Sequence, residues 1–299
     1  MEECTLSANL IIQALISGIM IGGVYAAIGM GMSIAYGVMG VVNWAHGEVL
    51  MISLFISYYL VKLAGFDPYL TAIVNIVVMG AFGYFLQMTA FNRLVNRGSK
   101  VAWRDILLVT AGMSMLLQAV FNMIFGAEVK AVDTRYSGMF SLGELRISKP
   151  MTISFIVAAV CCVGMYWLIQ KSEMGRSLRA TSQDRTTAQL MGINANRTYC
   201  FAFAISMALV GLAGALLIPF SSTSPYVGAS YTFKSFIIVC LGGKGNIPGA
   251  MVAGVLVGVI EMVGRMLWSD SIAEIIILIL FIVILLFKPD GLLVRRKKA

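Results

Sequence analysis

Two glycine-punctuated stretches hold the residues best suited to chemistry. Residues 30–62 place Tyr36, Gly37, Gly40 and Asn43 just ahead of His46 and Glu48. Residues 232–264 place Gly242, Gly243, Gly245 and Asn246 just ahead of Pro248. The Gly37–Gly40 spacing repeats at Gly242–Gly245, and an asparagine follows each pair, a weak internal echo. An imidazole and a carboxylate can pass a proton or meet a charged substrate group. Such groups at membrane depth are costly to bury and are functional by default. Paired, glycine-broken apolar segments point to a substrate path, because freed backbone groups must line a cavity or be buried in protein. A plainer account stands beside this one. The breaks can be tight turns, with Pro248 in a first helical turn, Asn43 as a cap and Glu48 near a helix's positive end at the membrane interface. The residues alone leave both open.

Other chemistry is absent from the sequence. LGGKG at Leu241–Gly245 is not a phosphate loop: the spacer before the Gly-Lys pair is missing, and Gly245 stands where Ser or Thr should meet magnesium. No GxSxG, HExxH or intramembrane aspartate pair supports a hydrolase. His46 is the only histidine, which excludes a His-rich metal site. Cys4, Cys161, Cys162, Cys200 and Cys240 form no CxxC pair and read as small apolar residues of packed helices.

The elements that position these residues are membrane spans. The 299 residues are 59% hydrophobic and 12% charged, with a mean hydropathy of +0.89. Soluble domains are about 45–50% apolar and about 25% charged. Apolar segments long enough to cross a bilayer fall near 9–29, 48–62, 69–91, 105–125, 151–170, 199–219, 247–264 and 271–287. The pieces 30–42 and 232–242 are too short to span comfortably. The expected fold is an all-α polytopic transmembrane bundle of about eight to ten spans, with two broken or re-entrant elements, as a single membrane domain over 1–299. Small residues four apart, Gly18/Gly22/Ala26 and Ala250/Gly254/Gly258, mark faces for close helix packing. Glu261 and Arg265 read as a simple i,i+4 pair near the outer interface. The acidic N-terminus lacks the basic region of a signal peptide, so the first span should act as its own insertion signal.

The polar stretch KSEMGRSLRATSQDRTTAQLMGINANRT, residues 171–198, interrupts this apolar pattern. Roughly two thirds of the 22 Lys and Arg residues fall on one side of the spans, in this connector, near 93–104 and in the RRKK tail. The positive-inside rule places that side in the cytoplasm, with the N-terminus outside and the C-terminus inside. Lys62, Lys130, Arg135, Arg146, Lys149, Lys234 and Arg265 fall on the other side. The outer loop 126–150 could form a small hairpin. In the connector, Ser182 or Asp184 can start a short helix, Ala188, Leu190 and Met191 give it an apolar side, and Gly192 and Asn194 can stop it. Such a helix suits docking on a partner; a solvated loop is the alternative. The net charge of +8 sits between spans, so it does not suggest nucleic acid.

At these residues a family resemblance emerges. GVMGVVNWAHGEVLM resembles the early motif of branched-chain amino acid permeases of the LivH type, with Trp44 where phenylalanine is commoner. EMGRSLRATSQDRTTAQLMGIN resembles their cytoplasmic coupling segment, and LGGKGNIPGAMVAGVLVGVIE their late glycine-rich motif, with Lys244 in place of an apolar residue. The resemblance covers essentially the whole chain. It implies a permease subunit of an ATP-binding-cassette importer in a bacterial inner membrane. The implied partners are a homologous second permease, two cytoplasmic ATPases and an extracytoplasmic substrate-binding protein. This chain would hold no cofactor, since ATP and magnesium would sit on the ATPases. Gln183, Asp184, Arg185, Ala188, Leu190, Met191 and Gly192 would form the coupling helix, and the broken elements would line or gate the path. The cargo would be Leu, Ile or Val, with urea and short amides as alternatives. An ion-coupled carrier or a channel acting without ATPases is the rival reading.

Overall fold

A computed structural model describes the backbone of residues 2–95, 99–132, 138–142 and 145–288, and Gly291. The RRKK tail, Arg97 and Arg135 therefore lie outside the described residues, as do parts of the outer loop. The helices are α1 (Glu2–Met39), α2 (His46–Ala64), α3 (Thr71–Leu86), α4 (Asn92–Val95), α5 (Ser99–Phe125), α6 (Lys149–Lys171), α7 (Glu173–Gln183), α8 (Arg185–Leu190), α9 (Ala195–Leu217), α10 (Val227–Gly242), α11 (Ile247–Leu267) and α12 (Asp270–Phe287). A π-helical turn, Gln87–Phe91, joins α3 to α4. Among the described residues, eight helices are long and apolar enough to span a membrane, and α10 is a shorter apolar one. The expected hairpin is present: β1 (Met139–Leu142) pairs antiparallel with β2 (Leu145–Ser148), Met139 opposite Ser148.

Packing sorts the helices by their apolar faces. In α9, 78% of the most apolar window is buried; in α5, only 11%. A helix apolar all round belongs in the core or in lipid. Here α9 is core, with α1 and α2 beside it, whereas α3, α5, α6 and α12 turn broad apolar faces outward. The two small-residue stripes pack on each other. A Cβ on Gly22 would lie 2.7 Å from the Val255 Cα, and one on Gly254 would lie 2.6 Å from the Ala26 Cα. Backbone-to-backbone approach of this kind drives helix association where lipid removes the hydrophobic advantage.

One boundary differs from the sequence reading. Residues 30–39 are not a separate short piece; they complete α1, which runs unbroken through Gly37. The break is Gly40, at φ 67°, and the non-helical stretch that follows it. This stretch climbs back into the bundle, because His46 at the start of α2 meets the Ile28 carbonyl. That level lies roughly 16 Å above the end of α1, at 1.5 Å per residue. Helix α10 also starts inside the bundle. It runs parallel to α1, with Tyr231 against Tyr25, Ile238 against Gly29 and Gly245 against Gly37. Two helix N-termini thus open at mid-depth.

Candidate functional site

The two N-termini meet. Gly47 N–H donates to Thr232 Oγ1 at 3.0 Å, and that hydroxyl lies 3.2 Å from both the Trp44 and Gly228 carbonyls. A side chain on Gly47 would overlap the Gly228 carbonyl, and one on Gly228 would overlap the Glu48 carboxylate. Glycine at both positions lets α2 and α10 touch. Glu48 is 1% exposed. Ser114 of α5 donates to its Oε1 at 3.2 Å, and its Oε2 has no partner. His46 is fully buried, and its Nε2 lies 3.2 Å from the Ile28 carbonyl. A carbonyl only accepts, so Nε2 carries the proton; Nδ1 has no partner. Asn43 Oδ1 accepts from Ala45 N–H at 3.0 Å, leaving its buried Nδ2 unpartnered. Asn43 therefore braces the turn ahead of α2, whose N-cap residue is Ala45. His46 and Glu48 lie within the bundle, not at the interface the plainer account expected. Trp44 and Phe233, both exposed, pack edge to face beside them at 5.8 Å.

The remaining path candidates gather at the other end of α1. Gly37 and Gly245 touch, a Cβ on the latter falling 3.1 Å from the Gly37 Cα. Gly243 and Gly245 have φ of 94° and 77°, a region that favours glycine. A Cβ on Gly242 would strike the start of α11. Asn246 caps α11, accepting from Gly249 N–H at 3.3 Å, and Pro248 sits in the first turn. The Tyr36 carbonyl closes α1 by accepting from Gly40 N–H at 2.7 Å. The sequence echo is thus only partly structural: Gly37 and Gly245 meet, whereas Gly40 and Gly242 do not, and Asn43 and Asn246 do different work. A cavity of about 60 Å³ lies beside the contact, lined by Ser33, Gly37, Leu178, Arg179, Ser182 and Gly245 among others.

That cavity joins the glycine contact to the connector. Leu178 and Thr181 of α7 are buried, and Arg179 donates to the Ile169 carbonyl at 2.6 Å, holding α7 to the end of α6. Asp184 breaks the connector into two helices and caps the second. It accepts from Thr186 N–H (2.8 Å), Thr187 N–H (3.2 Å) and Thr187 Oγ1 (2.6 Å). The Thr187 hydroxyl first, then these amides, hold its carboxyl below the usual 3.8. Arg185 turns inward, to the Val95 carbonyl and Asn196 Oδ1, each at 3.2 Å. Ala188 is buried, whereas Leu190 and Met191 are 83% and 80% exposed. Gln183 is exposed too, and Gly192, at φ 86°, ends the turn. The apolar side read from the sequence is therefore split: Ala188 anchors, and Leu190 with Met191 form a free apolar tip.

One cluster contains the expected Glu261–Arg265 pair and adds a cation that the sequence did not join to it. Glu261 Oε1 pairs with both Lys234 Nζ and Arg265 Nη2 at 2.7 Å. Lys234 also reaches Tyr25 Oη at 3.3 Å, and Arg265 Nε lies 3.2 Å from Asp270. Lys234 is buried inside the bundle rather than on the outer surface, and Glu261 has no exposure, so the pair is enclosed by protein. The available signal was one lone charge of each sign in two neighbouring apolar runs.

Comparison with known proteins identifies the family. The family described as the branched-chain amino acid transport system permease component matches residues 14–285. The high-affinity branched-chain amino acid transport system permease protein BraD of Pseudomonas aeruginosa is 35% identical over 299 aligned residues, covering 95% of this chain and 96% of its own. LivH of Escherichia coli K12, with the same description, is 30% identical over 298 residues, with the same coverage. The D-allose transport system permease protein AlsC of E. coli is 27% identical across 87% of this chain and 76% of its own. No solved structure matches. With eight spanning helices and a family match through nearly all of them, this chain is a multi-pass membrane protein belonging to the branched-chain amino acid transport permease family.

Proposed function

We propose that this chain is the permease subunit of an ATP-binding-cassette importer, carrying Leu, Ile or Val inward across a bacterial inner membrane by alternating access. It works with a homologous second permease, an extracytoplasmic substrate-binding protein and two cytoplasmic ATPases, which hold the ATP and magnesium. Its N-terminus is outside and its C-terminus cytoplasmic. The observation that carries the reading is the braced connector. Leu190 and Met191 stand free on α8, while α7 behind them lines the same cavity as Gly37 and Gly245. A partner that grips the tip and moves it pushes on α7, and so on the contact between the two glycine breaks. Gln183, Asp184, Arg185, Ala188 and Gly192 give the tip its shape. Tyr36, Gly37, Gly40, Gly242, Gly243, Gly245, Asn246 and Pro248 form the inner gate, and Asn43, His46 and Glu48 line the path above it.

The test is reconstitution with both ATPases, the second permease and the binding protein in liposomes. Leucine uptake should require ATP, and Leu190→Glu should leave membrane insertion intact while uncoupling ATP hydrolysis from uptake. Uptake with no ATPase present points to an ion-coupled carrier or channel and ends this reading. Full transport by Leu190→Glu ends the assignment of α8 as the coupling element. Uptake of urea in preference to leucine transfers the reading to short amides.

A further inference from the structure

We infer that Glu48 is the receptor for a primary ammonium group, the amine end of the cargo, at the junction of α2 and α10. The inference rests on the transport reading above and adds to it a named atom and a ligand chemistry. Among the described residues no Lys or Arg pairs with Glu48. Its Oε1 is held by Ser114, while Oε2 is buried and unpartnered. A buried carboxylate normally has a cation or a full set of donors; Glu261 in the same bundle also has an unpartnered Oε2, but two cations sit on its other oxygen. Glu48 therefore has an acceptor oxygen in place and, unlike Glu261, no cation to neutralise it.

The surroundings fit a ligand that arrives and leaves. Gly228 keeps a side chain away from the carboxylate, so that side of it is bounded by backbone. The cover on one side is α5, the least enclosed spanning helix, which holds Glu48 through one serine hydroxyl. Elsewhere α5 is held to α2 by ring contacts of Phe121 and Phe125 with Phe55 and of Phe125 with Tyr59. Trp44 and Phe233 offer aromatic faces beside the junction, favourable to an ammonium group and to an apolar tail. An ammonium supplies charge and donors together, which is what Oε2 lacks. A small neutral amide supplies donors without the charge.

The test uses the complete permease–ATPase complex in nanodiscs, without the binding protein, so that selection by the latter does not mask the membrane site. Radiolabelled leucine is the probe. Leucinol, which keeps the ammonium and loses the carboxylate, and 4-methylpentanoate, which does the reverse, are the competitors. In the wild type, leucinol should displace leucine and 4-methylpentanoate should not. Glu48→Gln should weaken leucine and leucinol at least tenfold and abolish the preference between the two competitors. Glu274→Gln, which removes an exposed carboxylate on α12, should change nothing. Wild-type leucine affinity in Glu48→Gln means that Oε2 is met by a proton and overturns the inference. So does 4-methylpentanoate competing as well as leucinol in the wild type, or the absence of saturable leucine binding in a complex that imports leucine. A wild-type complex that imports no leucine with ATP and binding protein fails at the earlier step and overturns the transport reading itself.

Discussion

Helix α10 has a buried carboxylate on each of two faces, and the fold treats them oppositely. Thr232 faces the Glu48 junction and Lys234 faces Glu261; two residues apart on a helix, they point in nearly opposite directions. Glu261 is neutralised within the chain by Lys234 and Arg265, backed by Tyr25. Glu48 has one serine hydroxyl and one abutting glycine, Gly228. A carboxylate neutralised by cations of its own chain ties helices together, even where its second oxygen makes no hydrogen bond. One left without a cation keeps its binding capacity for something else. Burial alone does not separate structure from function here; what separates them is whether the compensating charge is already present.

The largest expected effect lies on the structural side. Glu261→Ala strands Lys234 in the bundle with a tyrosine hydroxyl, while Arg265 can turn to Asp270. Removing one partner of a buried pair costs about 3–5 kcal/mol, so the thermal midpoint of the detergent-purified protein should fall sharply. Lys234→Met should cost much less, because Arg265 still covers Glu261. Equal losses would show that the two cations do not share the carboxylate.

Next in size is Gly228→Ala. The new methyl falls on the Glu48 carboxylate, and overpacking of this kind costs about 1–3 kcal/mol. The loss should shrink in a Glu48→Ala background, since contacting residues couple. Full additivity in that thermal-denaturation cycle would separate Gly228 from Glu48. Smaller still is Glu48→Gln, which keeps the shape and the Ser114 contact. Its stability should stay within about 1 kcal/mol of wild type, the range of an ordinary neutral hydrogen-bond exchange, while leucine import collapses. A loss as large as that of Glu261→Ala would erase the contrast between the carboxylates.

The sequence disclosed what length and spacing encode. Eight apolar runs became eight spanning helices, and the Gly18/Gly22/Ala26 and Ala250/Gly254/Gly258 stripes became packed faces. What they pack against is a tertiary fact, and only the structure shows that each stripe is the other's partner. Gly37 misled because glycine inside a helix costs only about 1 kcal/mol, which packing against Gly245 can offset. The depth of His46 and Glu48 was hidden because it depends on Gly40–Ala45 turning back into the bundle, and no local pattern encodes that direction. Lys234 was misplaced for the same reason: a cation near a span end reads as interfacial until its carboxylate is seen on another helix. The connector was more legible, since caps and stops are local. Asp184 and Gly192 took the roles their types suggested, while the division of Ala188 from Leu190 and Met191 needed the bundle to define an inside.

Asp184 extends the comparison to a third setting, a carboxylate in water, and carries the smallest expected effect. The Thr187 hydroxyl and the Thr187 and Thr186 amides favour its ionised form and lower its titration below the ordinary 3.8. A carboxyl whose folded value lies below its unfolded value binds protons more readily when unfolded. Its contribution to α8 is therefore full above the unfolded value and lost as pH falls through the lowered folded one. Amide protection of α8, followed by hydrogen exchange across an acid series, should hold through pH 5 and decline only below the ordinary aspartate range, about 3.9. Asp184→Asn keeps a good capping side chain and should flatten that decline; Asp184→Ala should lower protection at every pH. Protection that declines identically in wild type and Asp184→Asn would mean that the cap does not depend on charge. Glu48 would then be the only carboxylate of the three whose ionisation matters to something other than holding helices together.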